Sequence, residues 1–361
     1  MPDSQTKYPT VAVVGARGLV GREALSILLE RGWASSSLRV FGSPRSVGET
    51  IDYGDHKPVI EAMDTIVRDA PDYVLLCADT DTARSVVDLL SDQSTTIIDN
   101  SSAFRLHSGT PLVIPEVNGE LLQHDLRVIA NPNCSTIMLL TALSPLRAAF
   151  GVRSVQVSTY QAVSGAGRAG LESLHTQTRA KLNGEPIPDG VFPVPCAFDV
   201  FEHESEIDPT SGFNGEESKM IEESRKIWES PALSLLPTCV RVPVERAHAQ
   251  SITVEFNRTV TADQVRDVLG QSPGLALVEP GEPLTPASIA GQDEVFVGRI
   301  RIDPSDSRRV LLWVCCDQIR KGAALNAVQI MERLIGIRDQ SSASSARLTS
   351  TIEASGYACS S

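Results

Sequence analysis

The chain has 361 residues, of which 42% are hydrophobic and 21% are charged, and its formal net charge is −13. This balance is typical of a globular protein rather than a disordered or fibrous one, and the length predicts about two domains. The negative charge argues against nucleic acid as the main partner, and it means that an anionic substrate needs a local cluster of Arg and Lys.

Residues 1–10 are polar and lack the apolar stretch of a secretory signal, and no apolar run in the sequence is long enough to span a bilayer. The seven cysteines are irregularly spaced and include no CxxC pair, so the sequence predicts neither a disulfide framework nor a metal site. We therefore expect a cytoplasmic protein without a membrane partner.

A strand, a glycine turn and a helix open the chain. Residues 11–14 form a β-branched run, Gly15, Gly18 and Gly21 follow it, and apolar residues at helical spacing continue to Gly32. Glycines in such a turn let the backbone approach a pyrophosphate at the helix N-terminus, which is typical of a dinucleotide site. The alternative is a turn that serves packing alone.

Alternating strands and helices continue to about residue 130, and they predict a parallel, doubly wound sheet. The strands are expected at 38–41, 73–77, 96–98 and 127–130, with a helix at 83–90.

The end of the second strand lacks the Asp or Glu that usually binds the ribose 2′-hydroxyl of NAD. Ser43, Arg45 and Ser46 occupy this position, and they suit a 2′-phosphate. The sequence therefore favours NADP over NAD, unless Arg45 is merely a solvated charge.

Cys134 lies where the strand at 127–130 gives way to a helical stretch at 136–143, which Ser135 is available to cap. The positive end of a helix favours a thiolate, so we expect the pKa of Cys134 to lie below the free value of about 8.5. The alternative is a buried, inert cysteine.

The second half of the chain has a different pattern. Apolar residues alternate with polar ones near 155–159, 252–256 and 296–302, and helices are expected at 216–228 and 262–269. We interpret this as an α+β domain with a mixed or antiparallel sheet. Cys315 and Cys316 are expected to end a further strand.

The predicted domain organisation follows from these patterns. A dinucleotide-binding domain covers 1–133 and is completed by a C-terminal helix at 321–337, a second domain covers 134–320, and a serine-rich tail at 339–361 is expected to be disordered.

Seven segments together resemble the aspartate-semialdehyde dehydrogenase family, over about residues 10–337. NPNCST at 131–136 and STYQAVSGAG at 158–167 are specific to this family. The other segments are the glycine turn at 15–21, SPRS at 43–46, DNSSAFR at 99–105, RVPV at 241–244 and KGAALNAVQ at 321–329.

The resemblance implies a Rossmann NADP-binding domain followed by an α+β catalytic and dimerisation domain. It also implies the reversible reduction of β-aspartyl phosphate by NADPH to aspartate β-semialdehyde and phosphate. Cys134 would be the nucleophile that forms a thioacyl enzyme, and His248 the acid/base that takes the thiol proton and later protonates the substrate oxygen. Gln161 would orient the substrate, and Arg241 would bind its α-carboxylate through a bidentate contact.

The same resemblance implies a substrate pocket in which Glu216 meets the ammonium group and Lys219, Arg105 and Asn133 meet the phosphate. Glu216 and Lys219 are three residues apart and share a helix face, although such a pair could also be a simple surface ion pair. The remaining implied contacts are with the cofactor, and these residues are Gly15, Arg17, Gly18, Leu19, Val20, Ser43, Arg45, Ser46, Ser164, Gly165 and Gln318.

Two departures from the family pattern stand out. Ala247, Ala249 and Gln250 surround His248, where the family usually has Gly, Ser and Glu, and the loop at 78–81 carries Asp79 and Asp81 where a small, glycine-rich stretch is expected. We expect a homodimer, with a tetramer left open. The alternatives are an N-acetylglutamyl phosphate reductase and a non-catalytic paralogue that keeps the fold.

Overall fold

The structure is a computed structural model, and it describes residues 9–336. The predicted tail at 339–361 and the last residue of the predicted C-terminal helix lie outside the described residues. Within the described part of the chain, two sheets form the framework.

The first sheet has six parallel strands in the order β3-β2-β1-β4-β5-β6. The strands are β1 (Val11–Val14), β2 (Leu38–Phe41), β3 (Ile60–Glu61), β4 (Tyr73–Leu76), β5 (Thr96–Asp99) and β6 (Val128–Ala130). Their continuous apolar runs are buried because helices cover both faces of the sheet. This order places the carboxyl end of β1 where the strand order reverses, with β2 on one side and β4 on the other, and this is where doubly wound sheets bind ligands.

The helices around this sheet are α1 (Leu19–Glu30), α2 (Thr80–Leu89), α3 (Pro115–Asn118) and, at the end of the described chain, a helix over 325–336. The helix over 325–336 packs on the same face as α1, where Leu325, Val328 and Met331 join the core of the first sheet. A π-helical turn, Arg320–Ala324, leads into it and contacts both α1 and helix α4 (Cys134–Phe150).

The second sheet has seven strands in the order β11-β12-β13-β10-β7-β9-β8, and it is mixed. The pairs β7–β9 and β11–β12 are parallel, and the others are antiparallel. The strands are β7 (Val152–Ala162), β8 (Phe201–Glu202), β9 (Ser234–Val242), β10 (His248–Phe256), β11 (Leu275–Leu277), β12 (Val295–Asp303) and β13 (Asp306–Cys316).

Helices α4, α6 (Gly215–Ile227) and α7 (Ala262–Gly270) pack on one face of the second sheet. The other helices here are α5 (Gly167–Asn183) and α8 (Pro286–Ile289). Most side chains of α4 are fully buried, because the helix lies between the second sheet and the end of the first. The residue at its first position is therefore held between the two sheets.

Candidate active site

Cys134 is the first residue of α4. The side chain of Asn133 caps the helix by accepting hydrogen bonds from the backbone N–H groups of Ser135 (2.9 Å) and Thr136 (3.3 Å). The prediction that Ser135 caps the helix is therefore wrong, because the Asn133 carbonyl oxygen already occupies those donors. Ser135 Oγ instead accepts from Gln161 Nε2 at 3.0 Å.

The predicted low pKa of Cys134 is also wrong. Burial and the Glu216 carboxylate raise the pKa of the thiol, Arg241 and Arg105 partly oppose them, and the net value is about 11. Desolvation therefore outweighs the helix N-terminus, and Cys134 is a neutral thiol near pH 7.

We expect the rate of Cys134 alkylation by iodoacetamide to rise about tenfold per pH unit between pH 7 and pH 9, because thiolate is the reactive form and its fraction grows tenfold per unit below the pKa. Mass spectrometry of the Cys134 peptide in the protein without ligands measures this rate. An alkylation rate that levels off below pH 8.5 would instead support the low pKa expected from the sequence. The pH profile of free glutathione serves as the reference.

His248 begins strand β10 and is fully buried. Its Nδ1 accepts a hydrogen bond from the backbone N–H of Ala162 at 3.0 Å, so the neutral ring carries its proton on Nε2. Burial and, to a smaller extent, the nearby Arg241 together lower the pKa of His248 to about 3. Nε2 has no hydrogen-bond partner among the described residues. The neutral ring can therefore donate a hydrogen bond through Nε2–H, whereas this tautomer does not suit removal of the Cys134 proton.

The residue before His248 has a strained backbone. Ala247 has φ of 72°, in the left-handed region that glycine adopts at little cost. Its backbone N–H donates to Gln318 Oε1 at 2.8 Å, and Gln318 Nε2 donates to Ser164 Oγ at 2.6 Å. These contacts hold the peptide that carries His248.

Replacing Ala247 with glycine is expected to raise the free energy of unfolding by about 1 kcal/mol, because glycine relieves the left-handed strain. Urea denaturation measures the change. Ala249→Gly, two residues on and within β10, is the matched control and should lower stability. A loss of stability in Ala247→Gly would mean that the Ala247 side chain contributes more by packing than its backbone costs.

A cluster of charged residues fixes the same segment from its other side. Arg246 pairs with Asp317 at 2.5 Å and with Glu23 of helix α1 at 2.8 Å. Arg320 pairs with Glu23 at 3.0 Å and with Glu30 at 2.5 Å. The helix that follows the glycine turn is thus joined to the segment that leads into His248.

Helix α6 holds the N-terminus of α4 through two buried carboxylates. Glu216 Oε1 accepts from Asn133 Nδ2 at 2.8 Å, and Glu223 Oε2 accepts from the Asn133 backbone N–H at 2.7 Å. Glu223 also pairs with Arg105 at 3.0 Å. Asn133 therefore uses both of its side-chain polar atoms within the protein, while Arg105 Nε has no partner among residues 9–336.

Glu216 and Lys219 lie on one face of α6, with Nζ 3.4 Å from the carboxylate. Burial alone would raise the pKa of Glu216, but Lys219, His203, the hydrogen bond from Asn133 and Arg241 together lower it to about 2. Glu216 is therefore ionised, and Lys219 remains partly exposed.

Arg241, on strand β9, is buried and fully engaged. It forms a bidentate pair with Glu204, with Nε to Oε2 at 2.9 Å and Nη2 to Oε1 at 2.8 Å. Nη2 also lies 2.9 Å from His203 Nε2, and Nη1 donates to Gln161 Oε1 (3.4 Å) and to the Ala162 carbonyl (3.1 Å). The N–H groups of Arg241 that were predicted to bind the substrate carboxylate are therefore already bonded to other residues in this structure.

A cleft of about 810 Å³ opens at the glycine turn. Gly15 has φ of 78°, and a Cβ atom there would lie 2.4 Å from the Cys77 carbonyl oxygen, so this turn requires glycine. The predicted cofactor residues that line the cleft are Gly15, Arg17, Gly18, Ser43, Arg45 and Ser46. Ser43 and Arg45 are exposed, and Arg17 pairs with Glu49. The residues that line this cleft fit a dinucleotide.

The other predicted cofactor residues lie elsewhere. Val20 packs on the core of the first sheet, and Leu19 begins α1 beside it. Ser164 and Gln318 contact each other, as described, and a Cβ atom on Gly165 would lie 2.5 Å from Arg241 Nη1 and 3.6 Å from His248 Cε1. These last three residues therefore lie against Arg241 and the segment that carries His248 rather than in the cleft.

The unusual loop at 78–81 has a structural role. Asp79 caps α2 by accepting from the backbone N–H groups of Asp81 (3.1 Å) and Thr82 (2.9 Å). Both aspartates line the cleft, so they add negative charge where a phosphate would bind.

Residues 9–336 contain no group of three or more His, Cys, Asp or Glu side chains that could hold a metal ion. Within the same part of the chain, no helix has the length and apolar character needed to cross a membrane.

The sequence-based prediction missed Glu204, His203, Glu223 and Gly322. Glu223 lies seven residues after Glu216 on the same helical face, a spacing that could have revealed it. Gly322 lets the π-helical turn approach the nucleophile, since a Cβ atom there would lie 3.0 Å from Cys134 Cβ. The pairing of Glu204 with Arg241 has no signal in the sequence.

The fold and this site define a dinucleotide-binding enzyme with a cysteine at a helix N-terminus and a buried histidine whose Nε2 has no hydrogen-bond partner among residues 9–336. Two family models match the chain, the "Semialdehyde dehydrogenase, NAD binding domain" over residues 10–124 and the "Semialdehyde dehydrogenase, dimerisation domain" over residues 143–321. The chain belongs to the aspartate-semialdehyde dehydrogenase family.

Relatives of known name support this assignment. The chain is 40% identical over 329 residues to an aspartate-semialdehyde dehydrogenase of Synechocystis, covering 90% of this chain and 97% of that protein. It is 38% identical over 335 residues to that of Bacillus subtilis, covering 90% and 96%. The crystal structure of aspartate semialdehyde dehydrogenase II from Vibrio cholerae has a TM-score of 0.88 at 38% identity, covering 91% of this chain and 99% of that one.

The predicted family, fold class, enzyme class and nicotinamide dinucleotide cofactor are therefore confirmed. The match to a dimerisation domain supports an oligomer, and the enzyme acts on a small molecule. The domain boundaries and the roles of individual site residues stay predictions.

Proposed function

We propose that this protein catalyses the reversible NADPH-dependent conversion of β-aspartyl phosphate to aspartate β-semialdehyde and phosphate, in the biosynthesis of lysine, threonine and methionine. The observation that carries this proposal is the placement of Cys134 at the N-terminus of α4, where the charges of Glu216 and Arg241 act on the thiol and Gln161 contacts the next residue, Ser135. A relative from Vibrio cholerae at 37% identity has been solved in complex with "ASA", which agrees with this substrate.

The Cys134 sulfur attacks the acyl carbon, the carbon–oxygen bond to phosphate breaks, the departing phosphate takes the thiol proton, and a thioester on Cys134 remains. NADPH, when bound, supplies the hydride that reduces this thioester. His248 Nε2–H donates a hydrogen bond to the reacting oxygen, because Nδ1 accepts from the Ala162 N–H and Nε2 has no partner among residues 9–336. Gln161 orients the acyl group above Cys134.

The charged groups around Cys134 suit both ends of this substrate. Ionised Glu216 meets the ammonium group. Lys219 is partly exposed, and Arg105 has a free Nε–H, so both have capacity for phosphate. Lys219 and Arg105 are the cations in this pocket that an acidic chain requires to hold an anion, although each is also paired with a carboxylate of α6.

NADP is favoured over NAD because Ser43 and Arg45 line the cleft after β2, in the place of a ribose-binding carboxylate. Asp79 and Asp81 lower the affinity for the phosphate groups. A homodimer through the second domain and a cytoplasmic location complete the proposal, and the choice between dimer and tetramer stays open.

The decisive experiment mixes purified protein with aspartate β-semialdehyde, phosphate and either NADP or NAD, and follows the reduced cofactor by absorbance. We expect reduction that depends on phosphate and is faster with NADP. Activity on N-acetylglutamate semialdehyde alone would favour an N-acetylglutamyl phosphate reductase. No reduction with either aldehyde would favour the non-catalytic paralogue.

A further inference from the structure

Arg241 has no N–H group left for a ligand in this structure. A guanidinium carries five N–H groups, and here two bind Glu204, one binds His203, and two point at Gln161 and the Ala162 carbonyl. A substrate carboxylate therefore reaches Arg241 only by replacing one of these partners.

Glu204 is the partner that is able to leave. The side chains of Gln161 and His203 are buried, and the Ala162 carbonyl belongs to strand β7. The Glu204 side chain is 23% exposed and lies on the loop between β8 and α6, so it moves into water without disturbing a strand or helix.

Glu204 also matches a substrate carboxylate in chemistry. Its two oxygens make parallel contacts of 2.9 and 2.8 Å with Nε and Nη2, which is the side-on geometry that carboxylates prefer on arginine. An α-carboxylate that replaces Glu204 restores both hydrogen bonds and the charge balance of the buried guanidinium. A ligand without a carboxylate cannot do so, because it would leave Arg241 buried without a counterion.

We propose that Glu204 is an internal carboxylate that pairs with Arg241, and that the α-carboxylate of the substrate displaces it. Glu204 thereby determines specificity, because entry requires an exchange of one carboxylate for another. This inference rests on the proposed function only in the identity of the substrate.

The first test measures binding of L-2-aminobutyrate, which has the α-ammonium and α-carboxylate of aspartate β-semialdehyde but no aldehyde. Isothermal titration calorimetry should show about fivefold tighter binding to Glu204→Gln than to the wild type, because a neutral amide competes less well for the guanidinium. Binding of 1-aminopropane, which lacks the carboxylate, should not change. Unchanged or weaker binding of L-2-aminobutyrate would overturn the proposal and show that Glu204 only holds Arg241 in place.

The second test uses turnover. The KM for aspartate β-semialdehyde should fall about fivefold in Glu204→Gln, and kcat should stay within about twofold of the wild type. The reason is that the substitution changes only the free energy needed to displace residue 204 from Arg241. A rise in KM would overturn the proposal. If the wild type does not turn over this substrate, the proposed function fails while the calorimetric test still decides the role of Glu204.

Two further variants control these tests. Glu206→Gln makes the same change of charge at an exposed position on the same loop and should leave both constants unchanged. If thermal unfolding shows that Glu204→Gln is not folded, Glu204→Asp replaces it. The shorter carboxylate cannot keep both contacts with Arg241, so L-2-aminobutyrate should again bind more tightly than to the wild type, by a smaller factor. Unchanged affinity would overturn the proposal.

Discussion

Replacing Cys134 with alanine is expected to abolish turnover, with kcat lower by at least about ten-thousandfold. The reaction depends on a covalent acyl enzyme, and no second nucleophile stands at the N-terminus of α4, where Ser135 Oγ is engaged by Gln161. The rate of NADP reduction with aspartate β-semialdehyde and phosphate measures the loss. Affinity for NADPH, followed by fluorescence titration, should stay within about twofold, because the cleft at the glycine turn is formed by other residues.

Cys196→Ala is the matched control for this variant. Cys196 is also buried and unpaired, but it lies in the segment between α5 and β8 and contacts Gln177. Its replacement should leave kcat unchanged. Wild-type protein given semialdehyde and NADP without phosphate should carry an acyl group on the Cys134 peptide, seen by mass spectrometry. Normal turnover by Cys134→Ala would exclude the proposed nucleophile.

The local patterns in the sequence predicted the first sheet well. The glycine turn, the strand before it and the helix after it depend on neighbouring residues, and the structure places β1, Gly15 and α1 as expected. The short strand β3 was missed because Ile60–Glu61 is too brief to show a period. In the second sheet, alternation predicted half-buried strands, but it carries no information on direction, so the parallel β7–β9 pair was not foreseen.

The properties of the candidate site depend on contacts that are distant in sequence. The pKa of Cys134 is set by desolvation and by Glu216, 82 residues away in the chain, and neither appears in the motif around the cysteine. Family resemblance identified Arg241 and His248 as site residues, but it could not show that Glu204 occupies the guanidinium or that Ala162 fixes the histidine tautomer. Sequence motifs identify the site residues, whereas packing determines their protonation states and whether their polar atoms are already bonded to other residues.

Replacing His248 is the second change for which we expect a large effect. His248→Ala should lower kcat by about a thousandfold, which is the loss expected when a hydrogen-bond donor to the reacting oxygen is removed, with little change in KM. The structure adds a finer expectation, because the Nδ1 contact with Ala162 leaves Nε2–H as the working group. Glutamine places an N–H donor near the position of Nε2, so His248→Gln should recover about tenfold of the activity lost in His248→Ala. Steady-state kinetics of the two variants measure both effects.

The pH dependence of kcat/KM gives an independent test of the same histidine. A pKa lowered to about 3 means that His248 stays neutral as the pH falls, and that it becomes charged only in strongly acidic solution. The wild-type profile should therefore show no decline near pH 6.5 that is due to this residue, since kcat/KM reports groups of the free enzyme. His56→Gln, at an exposed position beyond the site, should leave the profile and kcat unchanged. A decline near pH 6.5 that disappears in His248→Gln would contradict the buried, neutral imidazole, and with it the assignment of Nε2–H as the donor to the substrate oxygen.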